Sequence, residues 1–550
     1  MSAPPIVVAT HEVLNQPPPL ENLNLFEQDV ALRTAVAREG GAWGEARLNG
    51  FGAWLGQAAT IRLGEQANRN PPVLRSHDRF GHRIDEVDFA PAWHELMRRA
   101  IAEQIHALPW IDQRPGAHVV RAASAFLLNQ VESGVCCPIA MTFAALPALH
   151  AAPQIAKAWA AKILSAEYDP SAQPVAAKRG ALIGMAMTEK QGGSDLRAGT
   201  TRAEPSGDGG YRLLGHKWFC SAPMSDAFLT LAWTEEGLSC LLVPRWRPDG
   251  TKNAIHLQRL KDKLGNRANA SAEIEYVGAS AQLVGEAGQG VRTIIKMVHH
   301  TRLDAAVSSA ALMRQAVAQA LHHAAHRSAF EKRLIDQPLM RNVLADLALE
   351  SEAATALVMR LARAFDAAAS DPVAARFARL ATAVTKFWVC KRAPAAIAEA
   401  LECLGGNGYV EESILPRLYR EAPVNSVWEG SGNVVCLDAL RTLTRDPAAL
   451  EAVLAELERV RGADLRLDAW LVRLKNCLRE QADAEPQARR LVEHLALALQ
   501  GALLVEHAPA AVADAFCASR LADGGGRQFG ALPRGFDLAL ICERARPNLA

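Results

Sequence analysis

Hydrophobic positions recur with helical spacing over most of the chain. Residues 27–177 follow this pattern, with a break at the Asn-Pro-Pro run 70–72. The period returns at Gly290 and holds to about Thr444. Beyond that point the pattern predicts amphipathic helices at 448–479, 487–504 and 508–521, and a loop from the glycine run 524–526 onward.

The pattern changes between residues 181 and 289, where short apolar runs alternate with turns. The stretches 207–210 and 248–250 have typical turn composition. Regular short strands with such breaks predict a compact β barrel or sandwich. The predicted strands are Ala181–Met187, Tyr211–Cys220, Ala227–Trp233, Leu238–Pro244, Ile255–Leu260 and Ala272–Val277.

The order of these segments predicts an α+β protein with several domains. A chain of 550 residues is too long for one small domain. The predicted units are an extended arm with a helical domain (1–180), a middle β barrel (181–289), a helical bundle (290–444) and an additional helical domain (445–550).

Composition and charge narrow the class of protein. Half of the residues are hydrophobic and 22% are charged, which is typical of globular proteins. The net charge of +1 gives no overall signature of a nucleic-acid or membrane partner, although a local basic patch stays open. The ten cysteines form no CxxC pair, which favours a reducing cytoplasm over zinc or disulfide frameworks. We expect neither a secretory signal nor a membrane span.

The strongest candidate for chemistry is the stretch Pro423–Leu437, PVNSVWEGSGNVVCL. It sets Glu429 between Trp428 and a Gly-Ser-Gly turn, with helix-forming segments on both sides. A carboxylate just before a glycine break can project from a loop into a cavity, where a base is useful. Two roles stay open for Glu429: a catalytic base, or a residue that only maintains the fold.

Two polar motifs lie in the predicted β region. Gly184–Asp195 leaves a strand and enters a glycine-containing loop, whose N–H groups suit an anionic or polar heteroaromatic ligand. It is neither a Walker loop nor a GxGxxG turn. Gly215–Ser221, GHKWFCS, offers an indole beside which a flat ring can pack. Taken singly, a surface hairpin and a core aromatic explain these two motifs better.

The helical region after Gly290 carries further motifs. His326–Leu334 contains Arg327, and Leu404–Tyr409 is a glycine turn that suits a helix C-terminus. His322 and His326 stand four residues apart, but no acidic residue completes an HExxH pattern. We therefore expect no metal site.

Together and in this order, these motifs resemble those of the acyl-CoA dehydrogenase family. The resemblance implies an N-terminal helical domain, a middle β barrel, a C-terminal four-helix bundle and FAD as cofactor. It also implies a set of FAD-contacting residues. These are Met185, Met187, Thr188, Gly193, Ser194, Phe219, Cys220, Ser221, Arg327, Trp428, Gly430, Ser431 and Asn433.

The resemblance implies a mechanism as well. Members of the family remove an α proton from an acyl thioester while a hydride leaves the β carbon for the flavin. Glu429 is the residue expected to act as the base. Thr188, Ser194 and Arg302 are expected near the substrate, and an ion pair with Asp304 stays open as an alternative role for Arg302.

Two positions depart from the family pattern. Cys220 stands where the family often has Thr, so Ser221 is expected to supply the missing hydroxyl contact to the flavin. Glu331 replaces a family Gly near Arg327, which is expected to reach the FAD pyrophosphate of a neighbouring subunit. Since a carboxylate beside a pyrophosphate is unfavourable, Glu331 is expected to face solvent.

The resemblance covers nearly the whole chain and extends to the adaptive-response flavoproteins of the AidB branch. It rests on 15–17, 70–72, 187–195, 417–432 and the segment after Thr444. It implies a cytoplasmic, FAD-containing homotetramer that binds double-stranded DNA. It also implies protection of DNA from alkylating agents, or their inactivation, with weak isovaleryl-CoA-type dehydrogenase activity. A metabolic acyl-CoA dehydrogenase is the alternative.

Charge tests the expected binding of DNA. Residues 445–550 carry 14 Lys and Arg but 15 Asp and Glu, so a DNA surface there must be a local patch. A solvated helix face or a subunit contact is the alternative. The candidates are Arg466, Arg473, Lys475 and Arg479, near one helical face, and Arg489, Arg490, Arg520 and Arg527.

Overall fold

The structure is a computed structural model that describes residues 10–207, 209–479, 484–522 and 524–548. Its N-terminal part is helical. The hydrophobic period predicted this. The helices are α1 (Val30–Val36), α2 (Glu45–Leu55), α3 (Ala58–Arg69), α4 (Pro91–Ala102), α5 (Leu108–Ile111), α6 (Ala117–Asn129), α7 (Cys136–Leu149) and α8 (Pro153–Ile163).

A two-stranded hairpin interrupts these helices where the sequence predicted only a break. Strands β1 (Val73–His77) and β2 (Arg83–Asp88) pair antiparallel between α3 and α4. No residue of either strand is fully buried, so the hairpin has no apolar face that the sequence could reveal. Arg83 donates from its guanidinium to the Leu257 carbonyl oxygen over 2.9 Å, which ties the hairpin to the middle region.

The middle region is a closed β barrel. Its strands β4, β5, β9, β7 and β6 pair in a ring, while β3 pairs with β6 and β8 with β9. Closure removes free sheet edges. All six predicted strands are present, and β4 is an addition. The strands are β3 (Ile183–Ala186), β4 (Arg202–Pro205), β5 (Tyr211–Ser221), β6 (Ala227–Thr234), β7 (Gly237–Pro244), β8 (Ile255–Leu260) and β9 (Ser271–Leu283).

Long helices form the C-terminal bundle. A small hairpin of β10 (Ser328–Ala329) and β11 (Lys332–Arg333) joins the first two of them. The third ends at a glycine turn, as predicted, with Gly405 at φ +60°. The helices are α9 (Gly290–His326), α10 (Pro338–Ala367), α11 (Pro372–Cys403), α12 (Gly406–Tyr409), α13 (Leu415–Asn425) and α14 (Gly432–Arg445).

The remaining helices differ in two places from those expected. The single helix predicted at 448–479 is two helices, separated by a turn in which Gly462 has φ +83°. The tail predicted as a loop contains a helix that buries Ile541 and Cys542. These helices are α15 (Pro447–Glu458), α16 (Leu465–Arg479), α17 (Ala488–His507), α18 (Ala510–Phe516) and α19 (Leu538–Ala545).

One hydrophobic core joins the N-terminal helices, the bundle and the additional helices. Trp93, Leu312, Leu357 and Leu495 all belong to it. A second core lies between α7, α8, α9 and the outside of the barrel, and a third fills the barrel. Within the described ranges, no helix is both long and apolar enough to cross a lipid bilayer.

Candidate active site

Glu429 lies in the short turn between α13 and α14. Its backbone has a left-handed φ of +58°, and Gly430 follows at +107°. A strained backbone of this kind costs about 1–3 kcal/mol and must be held by its surroundings. Arg302 Nε donates to the Glu429 carbonyl oxygen over 2.9 Å, and Lys386 Nζ donates to the Gly430 carbonyl oxygen. Two buried cations therefore fix the turn.

The Glu429 carboxyl group has the properties of a general base. Its Oε2 atom is shielded from solvent and has no hydrogen-bond partner among the described residues. Burial raises the pKa of this carboxyl above its usual value, against a hydrogen bond from Thr301 and the charges of Arg302 and Lys386, which lower it. A raised pKa gives a carboxylate the proton affinity that proton abstraction near neutral pH requires.

Arg302 pairs with Asp438, and the alternative pairing with Asp304 is wrong. Arg302 Nη1 donates to Asp438 Oδ2 over 2.6 Å, and Arg379 binds the other oxygen of the same carboxylate. Asp304 instead pairs with Arg121. Residues two positions apart on a helix point about 200° apart, so the side chains of Arg302 and Asp304 face different ways and do not pair with each other.

The two β motifs lie side by side. The backbone N–H of Trp218 donates to the Thr188 carbonyl oxygen over 2.8 Å. A Cβ at Gly193 would clash with the Thr188 hydroxyl, so only glycine permits this close loop. The sequence motifs around Thr188 and Trp218, 30 residues apart in the chain, thus form one surface at the barrel end.

A buried ion pair beneath these motifs escaped the sequence reasoning. Lys217 Nζ lies 2.8 Å from Glu189 Oε1, and both side chains are almost fully buried. Glu189 also accepts hydrogen bonds from the backbone and hydroxyl groups of Thr200 and Thr201. Burial would raise the pKa of Glu189, but Lys217 and these hydrogen bonds hold it well below its usual value. Nothing local in the sequence pairs Glu189 with Lys217, because 28 residues separate them in the chain.

The end of β5 directs its side chains in different directions. Phe219 is 52% exposed, while Cys220 is fully buried in the barrel core. A Cys220 side-chain contact with a flavin is therefore excluded, and only its backbone is available. Ser221 is partly exposed, and its Oγ lies 3.3 Å from Ser271 Oγ.

The other expected FAD contacts also differ in exposure. Met185 and Met187 are partly buried and pack against the core between α7 and the barrel. Ser194 is exposed, and Trp428 and Ser431 are partly buried. Ser194 is therefore accessible to a ligand, whereas Met185 and Met187 are engaged by the core.

Cys137, at the start of α7, is a neighbour of both Ser221 and Glu429. Burial raises the pKa of its thiol to about 11, and Glu429 adds to this, while Lys263 and a hydrogen bond with Ser221 oppose it. The thiol is therefore protonated at neutral pH. The sequence reasoning missed Cys137, Lys263 and Lys386, because only the fold brings them to Glu429.

Arg327 leads into the β10–β11 hairpin, where the N-terminal arm holds it. Its Nη1 donates to the Asn15 carbonyl oxygen over 2.7 Å, and the Asn15 amide bonds both backbone groups of Ser328. The tip residues Phe330 and Glu331 both have left-handed φ, at +50° and +64°. Phe330 is 92% exposed, and Glu331 faces solvent as expected.

Several of the cations expected to contact DNA have partners within the protein. Arg520 pairs with buried Asp346, and Arg489 Nε donates to Asn433 Oδ1 over 2.8 Å. Arg473, Arg479, Arg490 and Arg527 have exposed side chains. The partners are Asp464 and Asp514 for Arg466, Glu458 for Lys475, Asn433 for Arg489, and Asp346 and Glu350 for Arg520.

The expectation that the α16 cations share one face is wrong. At about 100° per residue, Lys475 lies roughly opposite Arg466 on this helix. Arg466 pairs with Asp514 on α18, whereas Lys475 pairs with Glu458 on α15. The two cations flank the buried side of α16 and do not form a single basic stripe.

The histidines that suggested a metal site make hydrogen bonds instead. The His322 and His326 rings lie 4.5 Å apart. His322 Nε2 is 2.7 Å from the Pro18 carbonyl oxygen, and His326 Nδ1 is 2.9 Å from the His322 carbonyl oxygen. In the part of the chain that the structure describes, no group of three or more His, Cys, Asp or Glu side chains could hold a metal ion.

Comparison with known proteins decides the family. The N-terminal domain of the adaptive response protein AidB matches residues 15–170, and the acyl-CoA dehydrogenase middle and C-terminal domains match 184–278 and 288–444. The chain is 50% identical over 519 residues to the putative acyl-CoA dehydrogenase AidB of Escherichia coli K12, across 94% of this chain and 95% of that one. The chain belongs to the acyl-CoA dehydrogenase family.

More distant members of the acyl-CoA dehydrogenase family share the same architecture. Acyl-CoA dehydrogenase family member 11 of Caenorhabditis elegans is 31% identical over 484 residues, across 81% of this chain and 77% of that one. The crystal structure of C. elegans ACDH-11 in complex with C11-CoA superposes with a TM-score of 0.83 at 27% identity, covering 98% and 95% of the two chains. A Bacillus anthracis acyl-CoA dehydrogenase complexed with FAD has the same fold, with a TM-score of 0.64 at 16% identity, covering 82% and 86% of the two chains.

Membership of the acyl-CoA dehydrogenase family defines the chemistry. The protein is a flavin-dependent oxidoreductase that acts on CH–CH bonds, with FAD as its cofactor. The helical, β and helical regions expected from the sequence are those of this fold. Its N-terminal region belongs to the AidB branch.

Proposed function

We propose that the protein dehydrogenates an acyl-CoA thioester and that Glu429 is the base that removes the α proton. The observation that carries this proposal is the shielded Oε2 atom of Glu429, which has no partner among the described residues and belongs to a carboxyl of raised pKa. The C. elegans relative crystallised with C11-CoA supports an acyl-CoA as the class of substrate.

Buried polar atoms without partners among the described residues leave hydrogen-bonding capacity for a polar cofactor. Glu429 Oε2 and the side-chain amide of Asn269 are buried and, in the described ranges, unpaired. Gly193 has no Cβ and can therefore lie close to the Thr188 side chain. In this proposal, the FAD contacts are Met185, Met187, Thr188, Gly193, Ser194, Phe219, the Cys220 backbone, Ser221, Arg327, Trp428, Gly430, Ser431 and Asn433.

The protein's own groups position and protect the base. Arg302 and Lys386 hold the carbonyl groups of the turn, so the Glu429 carboxylate keeps one orientation. Burial excludes water and keeps the pKa of Glu429 high. Oε2 then takes the α proton, and bound FAD supplies the acceptor for the hydride of the β carbon.

Arg302 positions the base and does not bind substrate in this proposal. Its Nε and Nη1 are engaged by the Glu429 carbonyl oxygen and by Asp438, and its side chain is 7% exposed. Thr188 and Ser194 are left as the proposed contacts to the thioester.

An anaerobic titration tests this function. The FAD-loaded protein is mixed with straight-chain acyl-CoAs of several lengths and with isovaleryl-CoA, and the visible flavin absorbance is followed. The proposal expects bleaching by at least one of them, and slow bleaching at most in Glu429→Gln. Full absorbance with every acyl-CoA would overturn it.

A role in the response to DNA alkylation is proposed alongside dehydrogenation. The AidB match over residues 15–170 and the 50% identity to AidB along 94% of the chain support it. In this role the protein binds double-stranded DNA and protects it from, or inactivates, alkylating agents. The proposed DNA contacts are the exposed Arg473, Arg479, Arg490 and Arg527.

Salt dependence tests the binding of DNA. The affinity for a fluorescent duplex, read by anisotropy, is expected to fall steeply with salt and to weaken in Arg490→Ala and Arg527→Ala. Lys475→Ala is the matched control, because Glu458 already neutralises Lys475 at 2.5 Å. Absent or salt-independent binding would contradict this role.

A homotetramer is the proposed assembly. Its support is a set of exposed large apolar side chains in the C-terminal helical region, Phe330 at 92%, Leu339 at 83% and Tyr409 at 79%. Light scattering coupled to gel filtration should give four times the chain mass of 59.2 kDa. A monomeric mass would contradict this assembly.

A further inference from the structure

Lys263 carries a partly buried charge that no carboxylate neutralises directly. It lies in the loop between β8 and β9, and its Nζ donates to the Asn269 carbonyl oxygen over 2.6 Å and to Ser271 Oγ over 2.9 Å. Both acceptors are neutral, and no described carboxylate forms a salt bridge with Lys263. Lys261, two residues earlier, is by contrast paired with Glu273 at 2.6 Å.

Two hydroxyl groups connect Lys263 to the end of β5. Ser271 is 5% exposed and is the cross-strand partner of Ser221, with 3.3 Å between their Oγ atoms. On its other side the loop packs closely against Gly134, where an added Cβ would lie only 3.0 Å from the Asn269 backbone nitrogen. The charge of Lys263 is therefore held at a fixed place behind Ser221.

We propose that Lys263 is a positioning residue that, through Ser271 and Ser221, stabilises the negative charge that FAD gains when it accepts the hydride. This inference rests on the proposed contact between Ser221 and the flavin. Dehydrogenation sends one proton to Glu429, and one proton with two electrons to FAD, which gains one negative charge. A fixed cation at this place favours that transfer.

The positive charge of Lys263 depends on pH, because burial and the neighbouring ionisable groups shift the pKa of its ammonium group. Burial lowers the pKa of Lys263 to about 8, although Glu421 on α13 acts to raise it; the Cys137 thiol on α7 also faces Lys263. Glu429 faces the same Cys137 thiol. The cation is therefore present below about pH 8 and is lost as the pH rises through that value.

The midpoint potential of bound FAD, measured by anaerobic dye equilibration, tests the inference. Lys263→Met should lower the potential, so that the equilibrium for reduction at pH 7 falls by about tenfold. Lys263→Arg keeps the charge and should restore the potential. The matched control is Lys252→Met, which removes a barrel lysine that pairs with Glu86 at 3.3 Å and should leave the potential unchanged.

The pH profile gives a second readout of the same cation. The wild-type potential should show an additional fall near pH 8. This fall should be absent in Lys263→Met and in Lys263→Arg, because the first has no charge to lose and the second keeps it.

Three results would contradict parts of the account in distinguishable ways. An unchanged potential in a Lys263→Met protein with normal FAD content overturns the inference and leaves the proposed function standing. If the Lys263→Met protein does not retain FAD, the Ser271→Ala variant is measured in its place, because that variant removes the Ser271–Ser221 hydroxyl pair and keeps the Lys263 cation. An unchanged potential in Ser271→Ala also overturns the inference. Wild-type protein that binds no FAD overturns the proposed flavin site itself.

Discussion

Glu429 unites a left-handed backbone, a shielded Oε2 atom and a raised pKa. Each feature is unfavourable for stability, because backbone strain, an unpaired polar atom and a buried carboxyl each cost free energy. Such costs concentrate at functional sites, where they prepare a group for chemistry. The base role therefore accounts for features of Glu429 that a purely structural role leaves unexplained.

The pH dependence of flavin reduction follows from the ionisation of Glu429. The base acts only when deprotonated, so the rate should rise with pH through a value above the usual range for glutamate. Lys386→Met removes a charge that lowers the pKa of Glu429, so the rise should move to higher pH. Stopped-flow reduction across pH measures both profiles. A rate that falls with rising pH would contradict this assignment.

At the level of single residues, the sequence could nominate the base but not its supports. The WEG pattern and the glycine break indicate Glu429 from local information. Arg302 binds Asp438, which lies 136 positions away, whereas local reasoning could offer only Asp304. Contacts between distant segments depend on how α9 and α14 pack, and helix periodicity carries no record of that.

At the level of elements, the β10–β11 turn is strained by its side chains. Phe330 and Glu331 both adopt left-handed φ, which two-residue hairpin turns require and which glycine adopts freely. Glu331→Gly should therefore stabilise the protein by about 1 kcal/mol. Urea unfolding measures the change, with Lys332→Gly as a control that removes a side chain where φ is not left-handed. A loss of stability in Glu331→Gly would contradict the strain.

The predictability of the elements follows from how they are buried. Barrel strands such as β6 and β7 are continuous apolar runs between turn residues, and their bounds were predicted within two residues. The β1–β2 hairpin is only partly buried, so its sequence lacks that signal. Helix α19 is short and lies in a tail that begins with a glycine run, so the sequence pattern there predicts a loop.

At the level of the whole molecule, the additional helices are part of one core with the bundle. Arg520 pairs with Asp346 and Glu350 of α10, both almost fully buried. Arg520→Ala would leave these carboxylates without that partner and should cost about 3–5 kcal/mol of stability. Arg527→Ala, at an exposed position, is the control and should change stability by less than about 0.5 kcal/mol. Equal stability of the two variants in urea unfolding would contradict this integration.

Proton abstraction by Glu429 is the step on which the proposed dehydrogenation depends. Stopped-flow measurement of FAD reduction by an acyl-CoA that bleaches the wild type tests this most directly, in wild type and in Glu429→Gln at equal FAD content. Loss of the base should slow reduction by about 10²–10⁴-fold, while FAD and acyl-CoA remain bound. Reduction of Glu429→Gln at the wild-type rate would contradict the central claim.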